Sequence, residues 1–330
     1  MNATITWDMM QALEEPIEMA EKRDLLSITD LSAAENRRII QRALEMKSDS
    51  SDKPLAGKSV ALLFEKPSLR TRTSFDVGIH QLGGHPIYLG PEEVGLGNRE
   101  LASDVGRVLS GYVDCIVARV HSHDQLQELA AYASVPVINA LSDREHPCQI
   151  VADMVTIQEH KGGLEGLKLS FIGDGNNVAR SLCLGLPALG ASFTIATPRK
   201  YKRYDLDEDS LTLSRQRVEQ ERLSSVDVVA LEDPVEAVQK ADIVYTDTWT
   251  SMGQEAEAEI RKQHFQGYTV NAALMAKANP GALFMHDMPV HYGEEVEEGM
   301  LDHPQSVAYD QAHNRLYAQK AILEFLLART

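Results

Sequence analysis

The sequence predicts an α/β protein with two doubly wound parallel-sheet domains, and three observations support this fold class. Short apolar runs alternate with amphipathic helical patterns, and most runs end in Gly, Pro, Asn or Asp. Such alternation is typical of parallel strands covered by helices on both faces. At 330 residues the chain exceeds the usual size of one core, so we expect two domains. The last segment, 314–328, is apolar at helical spacing and is expected to dock on the body.

Several apolar runs have the length and the bounding residues of buried strands. In chain order they are 59–64, 86–89, 113–118, 135–140, 168–172, 192–196, 242–246 and 282–285. Amphipathic helices are predicted at 31–46, 72–82, 124–133, 178–189 and 234–240. The polar, charged stretch 205–221 is interpreted as a solvated helix or excursion.

We place the domain boundary near residue 150, within a helical pattern at 147–159. Pro147 fits the first turn of that helix, where its missing N–H costs nothing. The glycines at 162 and 163 are expected to stop it. The predicted units are therefore a first domain at 1–150, a second domain at 151–313 and a C-terminal helix at 314–330, with helices joining the two domains.

The composition limits the classes of partner. A formal charge of -17 disfavours a nucleic-acid or anionic-membrane surface, so an anionic substrate has to be held by a few local arginines. The three cysteines form no Cys-x-x-Cys pair, which is typical of a reducing compartment. Since the sequence shows no long apolar run and no basic segment with an apolar stretch behind Met1, we expect a cytoplasmic protein.

The strongest local signal lies at 64–75, where a buried strand is followed by an amphipathic helix and residues 68–72 read Ser-Leu-Arg-Thr-Arg. A helix start exposes backbone N–H groups and a positive dipole end, so the added Ser, Thr and Arg side chains make a cradle for a phosphate. The alternative is that Ser68 or Thr71 is only an N-cap and the arginines are solvated. The segment is not a Walker loop, because it lacks the glycines and the Gly-Lys-Ser/Thr ending.

A second signal lies at 143–149, after the strand 135–140. His146 and Gln149 are three residues apart, so at a helix start they project from one face and can both bind a carbonyl group. Polarising that carbonyl would assist attack on its carbon. A capping histidine without a ligand explains the segment equally well.

A glycine-containing turn at 173–178 follows the strand 168–172 and resembles a dinucleotide fingerprint. The third glycine of that fingerprint would fall on Val178, and Asp174 would lie beside a pyrophosphate. We therefore interpret the turn as a substrate-binding turn rather than an NAD site. Asn176 and Asn177 are donors suited to a carboxylate.

Two further turns follow strands, at 247–253 and at 286–289. In open α/β sheets ligands bind at the carboxyl ends of strands, so all these turns are expected to face one cleft. Arg119 and Arg315 lie near the same predicted edge. Each of these residues taken alone is explained by ordinary loop chemistry or a solvated side chain.

The histidines could suggest a metal site, but neither His121 with His123 nor His286 with His291 has the spacing and carboxylate of a zincin. We expect no metal. The sequence also has no Gly-x-Ser-x-Gly elbow, so there is little support for a serine hydrolase.

Together these motifs resemble those of the aspartate and ornithine carbamoyltransferase family, over about residues 25–327. Asp247 with the Ser-Met-Gly of 251–253 resembles the ornithine branch. The resemblance implies a first domain that binds carbamoyl phosphate, a second domain that binds the amino acid, and a C-terminal helix that returns to the first domain. It also implies a homotrimer or a multiple of trimers.

The resemblance implies a donor site drawn from all the motifs: Ser68, Leu69, Arg70, Thr71, Arg119, His146, Gln149, Met288 and Arg315. The first four would hold the phosphate, and Arg119 would be shared between phosphate and carbonyl oxygen. His146 and Gln149 would hold the carbamoyl group, and Arg315 would close over it.

The implied acceptor is L-ornithine, with Asp247 on its α-ammonium, Asn177 on its α-carboxylate, and Ser251 with Met252 on the rest. No cofactor is needed, because the uncharged δ-amine attacks the carbamoyl carbon and phosphate leaves with the amine's proton. The expected products are citrulline and phosphate. Asp287 joins Arg119, His146 and Arg315 as the residues expected to act in catalysis.

The main departure from the family pattern is Asp287, because ornithine members have a His-Cys-Leu-Pro turn where residues 286–289 read His-Asp-Met-Pro. A carboxylate there would stabilise the unreactive protonated amine and repel carbamoyl phosphate. Either Asp287 is protonated or turned away, or the acceptor or the rate is altered. A transcarbamylase for another amine and a catalytically weak paralogue therefore stay as alternatives.

Other departures lie at 92–101, the loop that in this family reaches a neighbouring subunit's site. Gly95 occupies a position where many relatives have Gln, Leu101 replaces a Ser, and Arg99 is a possible substitute contact. Tyr292 replaces a family Arg, and Arg180 replaces an Asn at a helix start.

Overall fold

The computed structural model describes residues 22–49, 51–97, 99–251 and 253–328. Its first sheet consists of β1 (Ser59–Phe64), β2 (His85–Leu89), β3 (Cys115–Arg119) and β4 (Val137–Leu141). The strand order is β2-β1-β3-β4, and every pair is parallel. The interior of β1 is buried on both faces, as its continuous apolar run predicts.

The second sheet consists of β5 (Lys168–Ile172), β6 (Ser192–Ala196), β7 (Val228–Leu231), β8 (Ile243–Thr246) and β9 (Leu283–His286). The strand order is β7-β6-β5-β8-β9, again parallel throughout. We call the parts of the chain built around the two sheets the first and second lobes.

Helices connect the strands. They are α1 (Ala33–Ser48), α2 (Leu69–Gln81), α3 (Pro91–Val94), α4 (Ala102–Leu109), α5 (His123–Tyr132), α6 (Pro147–Lys161), α7 (Asn177–Gly185), α8 (Glu208–Gln220), α9 (Pro234–Val238), α10 (Ala258–His264), α11 (Ala272–Met275) and α12 (Ala308–Leu327). Short 3-10 helices lie at Ile28–Asp30, Pro187–Leu189, Lys202–Tyr204, Glu255–Glu257 and Met300–Asp302. As predicted, Pro147 opens α6 and Gly162 ends it, with φ 77° in the left-handed region.

The long C-terminal helix α12 joins the two lobes. It packs against α1, α2 and α6 and also contacts β9. Its buried side chains include polar residues, among them Gln311, Asn314 and Arg315, so it carries hydrogen bonds as well as apolar contacts. The predicted fold class, two parallel α/β sheets with a C-terminal helix packed on the first lobe, is confirmed.

The structure differs from the predicted elements at several places. The helices α3, α4, α10 and α11 were not predicted, and two further differences concern α12 and β7. Helix α12 begins at Ala308, before the predicted start at 314. Strand β7 was not predicted, because it lies at the edge of its sheet with only Val228 buried and so lacks a continuous buried run. The division at residues 150 and 313 stays a prediction, with β1 to β4 before it and β5 to β9 after it.

Strand order fixes where a ligand can bind. In the first sheet β1 lies between β2 and β3, and in the second β5 lies between β6 and β8, so the connections on either side run to opposite edges. The carboxyl ends of β1 and β3, and of β5 and β8, therefore border the crevices of these sheets. Within the described ranges, no helix is long and apolar enough to cross a membrane.

Candidate active site

A cavity of about 750 Å³ lies between the two lobes. Its wall contains most of the predicted residues, from both halves of the chain: Ser68, Leu69, Arg70, Thr71, Arg119, His146, Asn177, Asp247, Ser251, Asp287, Met288 and Arg315. Of the remaining predicted residues, Gln149 lies behind this wall, and Met252 lies outside the described residues. The separate sequence motifs therefore meet at one cavity.

The cavity has two parts with different lining residues. The donor half is the wall formed by residues 68–71 with Arg119, His146 and Arg315. The acceptor half is the wall formed by Asn177, Asp247, Ser251 and Asp287.

The start of α2 forms the floor of the donor half. Ser68 is the N-cap of α2, and its Oγ accepts a hydrogen bond from the Thr71 N–H at 3.2 Å. The other N–H groups of a first helical turn have no partner within the helix, so they remain available to an anion. The Leu69 side chain is 78% exposed, which leaves its backbone N–H as its contribution. Capping and anion binding are therefore compatible at this turn.

Three arginines surround this turn with positive charge. Arg70 Nη2 donates to the Met288 carbonyl oxygen at 2.8 Å, and Arg315 Nη2 donates to Thr71 Oγ1 at 3.0 Å. Burial, and then the charge of Arg315, lower the pKa of Arg119 to about 10. Among the described residues Arg119 Nε has no hydrogen-bond partner. An anion in this position would offset both the repulsion and the lost hydration.

His146 is the N-cap residue of α6 and is fully buried beside these arginines. Its backbone N–H donates to Ser181 Oγ at 3.0 Å, and its ring Nδ1 has no partner among the described residues. Burial, followed by Arg315 and Arg119, lowers the pKa of His146 well below its ordinary value. The imidazole is therefore neutral and can donate one ring N–H to a carbonyl oxygen.

Gln149 is buried and already engaged at both ends of its amide. Its Oε1 accepts from Arg315 Nη1 at 2.5 Å, and its Nε2 donates to Asp153 Oδ1 at 2.8 Å. The structure thus places Gln149 against Arg315 rather than on the cavity surface. Its predicted contact with a carbamoyl group stays a prediction.

Asp247 follows β8 and is held as a hydrogen-bond acceptor. Its Oδ2 accepts from Asn176 Nδ2 and its Oδ1 from the Thr248 N–H, both at 2.6 Å. Asn176 is the N-cap of α7, with its own Oδ1 bonded to the N–H groups of Val178 and Ala179. A carboxylate with two donors and an open side toward the cavity suits an ammonium group.

Asn177 lies in the wall but is differently engaged from the prediction. Its Nδ2 donates to the Ser142 carbonyl oxygen at 2.8 Å, which links the second lobe to the first. A ligand carboxylate would have to replace this carbonyl oxygen. The role predicted for Asn177 therefore stays a prediction.

Asp287 follows β9 and faces the cavity, so it is not turned away. Burial and then the neighbouring Asp247 raise the pKa of Asp287 well above its ordinary value. Its Oδ1 has no hydrogen-bond partner among the described residues. Of the possibilities open for this residue, the protonated carboxyl is the one that this environment favours.

The turn after β8 also contains Ser251. Its backbone N–H donates to Gln254 Oε1 at 3.2 Å, and the residue lines the cavity. Since Met252 is outside the described residues, the shared role predicted for Ser251 and Met252 stays a prediction.

Asp247, His286 and Asp287 each offer one potential metal-ligand atom, and these atoms lie within 4.8 Å of one another. His286 Nδ1, however, already accepts a hydrogen bond from the Met288 N–H at 2.8 Å. Because this bond competes with ligation at Nδ1, we assign no cation to the cluster.

The remaining departures from the family pattern lie away from the cavity. None of the described residues of 92–101 lines it. Arg99 Nη1 donates to carbonyl oxygens of its own loop, and Leu101 is exposed. Arg180 forms an ion pair with the N-cap aspartate of α8 at 2.5 Å, and Tyr292 is half-exposed.

Sequence reasoning missed the residues that support the acceptor half. Arg261 forms a buried ion pair with Asp174 at 2.8 Å and also donates to the Trp249 carbonyl oxygen, which fixes the turn after β8 against the turn after β5. Gly175 lies so close to Leu206 that an added Cβ would stand 2.4 Å from its backbone nitrogen. Packing of this neighbouring segment therefore accounts for the glycine.

Three buried polar residues behind Gln149 were also missed: Asp153, Tyr245 and Gln311. A signal was available for Asp153, because it interrupts an otherwise apolar stretch of α6. A charged residue is almost never fully buried without hydrogen-bond partners.

Comparison with protein-family models gives two matches that together span most of the chain. Residues 23–159 match "Aspartate/ornithine carbamoyltransferase, carbamoyl-P binding domain". Residues 165–326 match "Aspartate/ornithine carbamoyltransferase, Asp/Orn binding domain".

Individual proteins are similar over nearly their whole length. The ornithine carbamoyltransferase of Thermococcus kodakarensis is 47% identical over 309 residues, which cover 92% of this chain and 96% of the relative. The solved ornithine carbamoyltransferase from Pyrococcus furiosus has a TM-score of 0.88 at 45% identity, covering 93% of this chain and 98% of that chain. Acetylornithine transcarbamylase complexed with acetylcitrulline has a TM-score of 0.83 at 33% identity, with coverage of 93% and 99%.

Proposed function

Because the chain belongs to the aspartate/ornithine carbamoyltransferase family, we propose that it transfers the carbamoyl group of carbamoyl phosphate to the δ-amine of L-ornithine, giving citrulline and phosphate. One observation carries this proposal: an arginine-lined anion cradle faces an acidic pocket across a single cavity. A phosphorylated donor and an amine acceptor are the pair of substrates that these opposite charges suit.

The donor binds with its phosphate on the start of α2. The N–H groups of Leu69 and Arg70, the Ser68 and Thr71 hydroxyls and the Arg70 guanidinium surround the phosphate oxygens. Arg119 and Arg315 lie between phosphate and carbamoyl group, and His146 donates to the carbonyl oxygen. Phosphate binding is expected to stabilise this cluster, because it neutralises arginines that repel one another.

The acceptor binds with its α-ammonium on Asp247 and its α-carboxylate near Asn177, while Ser251 and Met252 contact the remainder. Its δ-amine then points across the cavity toward the donor. Holding both substrates in one geometry converts a bimolecular reaction into an effectively unimolecular one.

The chemical step needs no bound cofactor. The lone pair of the neutral δ-amine forms a bond to the carbamoyl carbon, and the carbonyl oxygen becomes an oxyanion next to Arg119 and His146. The C–O bond to phosphate then breaks, and the departing phosphate takes the proton that the amine loses. The amine gains positive charge as it attacks, and another positive charge nearby would disfavour this step. A neutral His146 stabilises the oxyanion without adding such a charge.

Asp287 motivates a second candidate, a transcarbamylase with a different amine acceptor. A carboxyl group at this position changes the hydrogen bonding available to the acceptor. The similar solved structure whose name specifies acetylornithine shows that relatives of this fold differ in acceptor. A catalytically weak paralogue that binds carbamoyl phosphate is a third candidate, since Asp287 also lies near the donor.

A homotrimer, or a multiple of trimers, and a cytoplasmic location are further parts of the proposal. They rest on the family pattern, on the charge of -17 and on the cysteine pattern. A supply of citrulline for arginine biosynthesis agrees with the name of a relative 46% identical, "Ornithine carbamoyltransferase, anabolic" from Pyrococcus furiosus.

The test is a product assay with carbamoyl phosphate and a panel of acceptors: L-ornithine, N-acetylornithine, lysine, putrescine and aspartate. We expect citrulline formation from ornithine to have the largest kcat/KM. A larger value for another member would establish the second candidate, and no carbamoylated product from any would contradict both enzyme proposals. The exposed Arg107 of α4, paired with Asp104, provides a control variant, Arg107→Met, which should not change the ranking.

A further inference from the structure

A buried carboxylate lies directly behind the cavity wall. Asp153 of α6 is fully buried, and its Oδ1 accepts from Gln149 Nε2 and Gln311 Nε2, both at 2.8 Å. Its Oδ2 accepts from the Tyr245 hydroxyl at 3.1 Å. These three donors come from α6, α12 and β8, so the carboxylate joins elements of both lobes.

All three partners of Asp153 are donors, so both of its carboxyl oxygens act as acceptors, and this fixes the direction of the two glutamine amides. Gln149 has to turn its NH2 group toward Asp153, so its oxygen faces Arg315. In the same way Gln311 turns its NH2 group toward Asp153, so its oxygen accepts from the His286 N–H at 2.9 Å. Reversing either amide would set two donors against each other.

The network reaches both halves of the cavity. On the donor side, Arg315 bonds Gln149 through Nη1 and Thr71 through Nη2. On the acceptor side, Gln311 holds the backbone of His286, the residue before Asp287. The Tyr245 hydroxyl, two residues before Asp247, also accepts from Gln311 Nε2 at 2.9 Å. Through Gln149, Gln311 and Tyr245, the Asp153 side chain thus connects the start of α2 with the strand ends that precede Asp247 and Asp287.

The cost of burying this group indicates that its bonds matter. Burial raises the pKa of Asp153 to about 7, while the bonds from Gln149, Gln311 and Tyr245 oppose that rise. Replacing a buried ionisable group by a well-packed apolar side chain is often neutral or stabilising, so stability alone does not account for a carboxyl group at this position.

We propose that Asp153 is a positioning residue that sets the direction of these hydrogen bonds and thereby couples occupancy of the donor half to occupancy of the acceptor half. This inference rests on the proposed function. A donor that binds Arg315 changes the hydrogen bond between Arg315 and Gln149. An acceptor that binds Asp247 and Asp287 shifts the strand ends that Tyr245 and Gln311 hold. Because binding free energies are linked, each ligand changes the affinity of the other by the same factor.

The test measures this coupling without catalysis. Phosphonoacetamide, a carbamoyl phosphate analogue with CH2 in place of the bridging oxygen, is titrated with and without L-norvaline, which lacks the δ-amine of ornithine. In the unaltered protein we expect norvaline to tighten phosphonoacetamide binding about 5-fold or more, at the lower end of typical coupling. In Asp153→Asn the factor falls to about 1–2, and KM rises for both substrates, because the asparagine can present a donor to either glutamine.

Two variants separate positioning from simple loss of packing. Thr156→Val removes a buried hydroxyl one turn further along α6, where it bonds Asn314 of α12 at 2.9 Å. We expect this control to lower stability while the coupling factor stays within about 2-fold of the unaltered protein, because Thr156 contacts neither glutamine. Gln311→Met cuts the acceptor branch and leaves the bonds of Gln149 to Asp153 and Arg315 in place. It should therefore abolish coupling, while phosphonoacetamide alone binds within about 2-fold of its affinity for the unaltered protein.

If Asp153→Asn does not fold, Gln311→Met carries the test. Retention of the full coupling factor in either folded variant, or loss of coupling in Thr156→Val as well, would overturn the proposal. So would an unaltered protein that binds both analogues without coupling. Citrulline formation is assayed on the same preparations: its absence in the unaltered protein counts against the proposed function, whereas its presence with unchanged coupling counts against Asp153 alone.

Discussion

The donor and acceptor halves of the cavity are opposite in charge and also in how their charges are balanced. The donor half has three arginines, and Arg119 lacks a partner at Nε among the described residues. In the acceptor half Asp247 is satisfied by Asn176 and Thr248, while Asp287 beside it has a raised pKa. The donor half is therefore stabilised by an external anion, whereas the acceptor half can lower its charge by holding a proton.

This difference indicates that the donor half determines the class of donor, while the acceptor half determines the acceptor and the rate. A bound anion relieves the repulsion between Arg119 and Arg315, so the donor half favours an anionic ligand. A carboxyl pair changes its charge with pH and with the bound amine. Variation in acceptor and in rate is therefore expected to arise from the acceptor half.

The largest effect is expected at Arg119. Arg119→Met removes a guanidinium that faces the developing oxyanion, so kcat/KM should fall by about 10²–10³-fold, the usual loss for one such donor. The same change removes a buried, repelled charge, so the melting temperature without ligand should rise. Steady-state kinetics and thermal melts on the same samples measure both effects.

The matched control is Arg107→Met, which replaces an exposed arginine and should change neither quantity. A lower melting temperature together with the loss of activity in Arg119→Met would contradict the assignment. It would mean that Arg119 stabilises the fold rather than binds an anion.

The next effect concerns Asp247. Asp247→Asn removes the charge that pairs with the α-ammonium, so KM for ornithine should rise by about 10–100-fold, as expected for a charge-assisted hydrogen bond. Phosphonoacetamide affinity should change by less than about 3-fold, because the donor half is untouched. Asp302→Asn, at an exposed aspartate, is the control. A parallel loss of donor affinity would show that the two halves are not separable at this residue.

The two halves also differ in how far the sequence could predict them. Residues 68–72 lie in a single helical turn after a buried strand, so residue type and spacing alone indicate an anion cradle. Strand ends at the carboxyl edge are equally local, and they correctly brought Asp247 and Asp287 to the same cavity.

The supporting contacts could not be predicted in this way, because they join residues that are distant in the chain. Asn176 and Asp247 are 71 residues apart, and Gln149 and Arg315 are 166 apart. Such pairs depend on how the lobes and α12 pack, which no local periodicity encodes. For the same reason the bond from Asn177 to the Ser142 carbonyl oxygen across the lobes was not predicted, while the role of Asn177 toward a ligand stays a prediction.

The smallest effect, and the one that best separates the two halves, is expected at Asp287. Its raised pKa means that the carboxyl group is neutral at low pH and becomes a carboxylate as pH rises. Stability supplied by the neutral form is fully present below the pKa of the unfolded chain and is lost as pH rises through the raised pKa of the folded protein. The melting temperature of Asp287→Asn minus that of the unaltered protein should therefore increase as pH increases. A constant difference across the pH range would mean that folding does not raise the pKa of Asp287.

The same residue allows a kinetic test. Above its pKa, an ionised Asp287 both repels carbamoyl phosphate and holds the δ-ammonium in its unreactive form, so Asp287→Cys should raise ornithine turnover by about 2–10-fold, most strongly at high pH. Asp302→Cys serves as the matched control for an introduced thiol. If turnover instead collapses in Asp287→Cys while phosphonoacetamide still binds, the carboxyl group has an essential role in the acceptor half. The difference between the halves would then be one of chemistry, since the acceptor half would supply a proton-transfer group and not only a binding pocket.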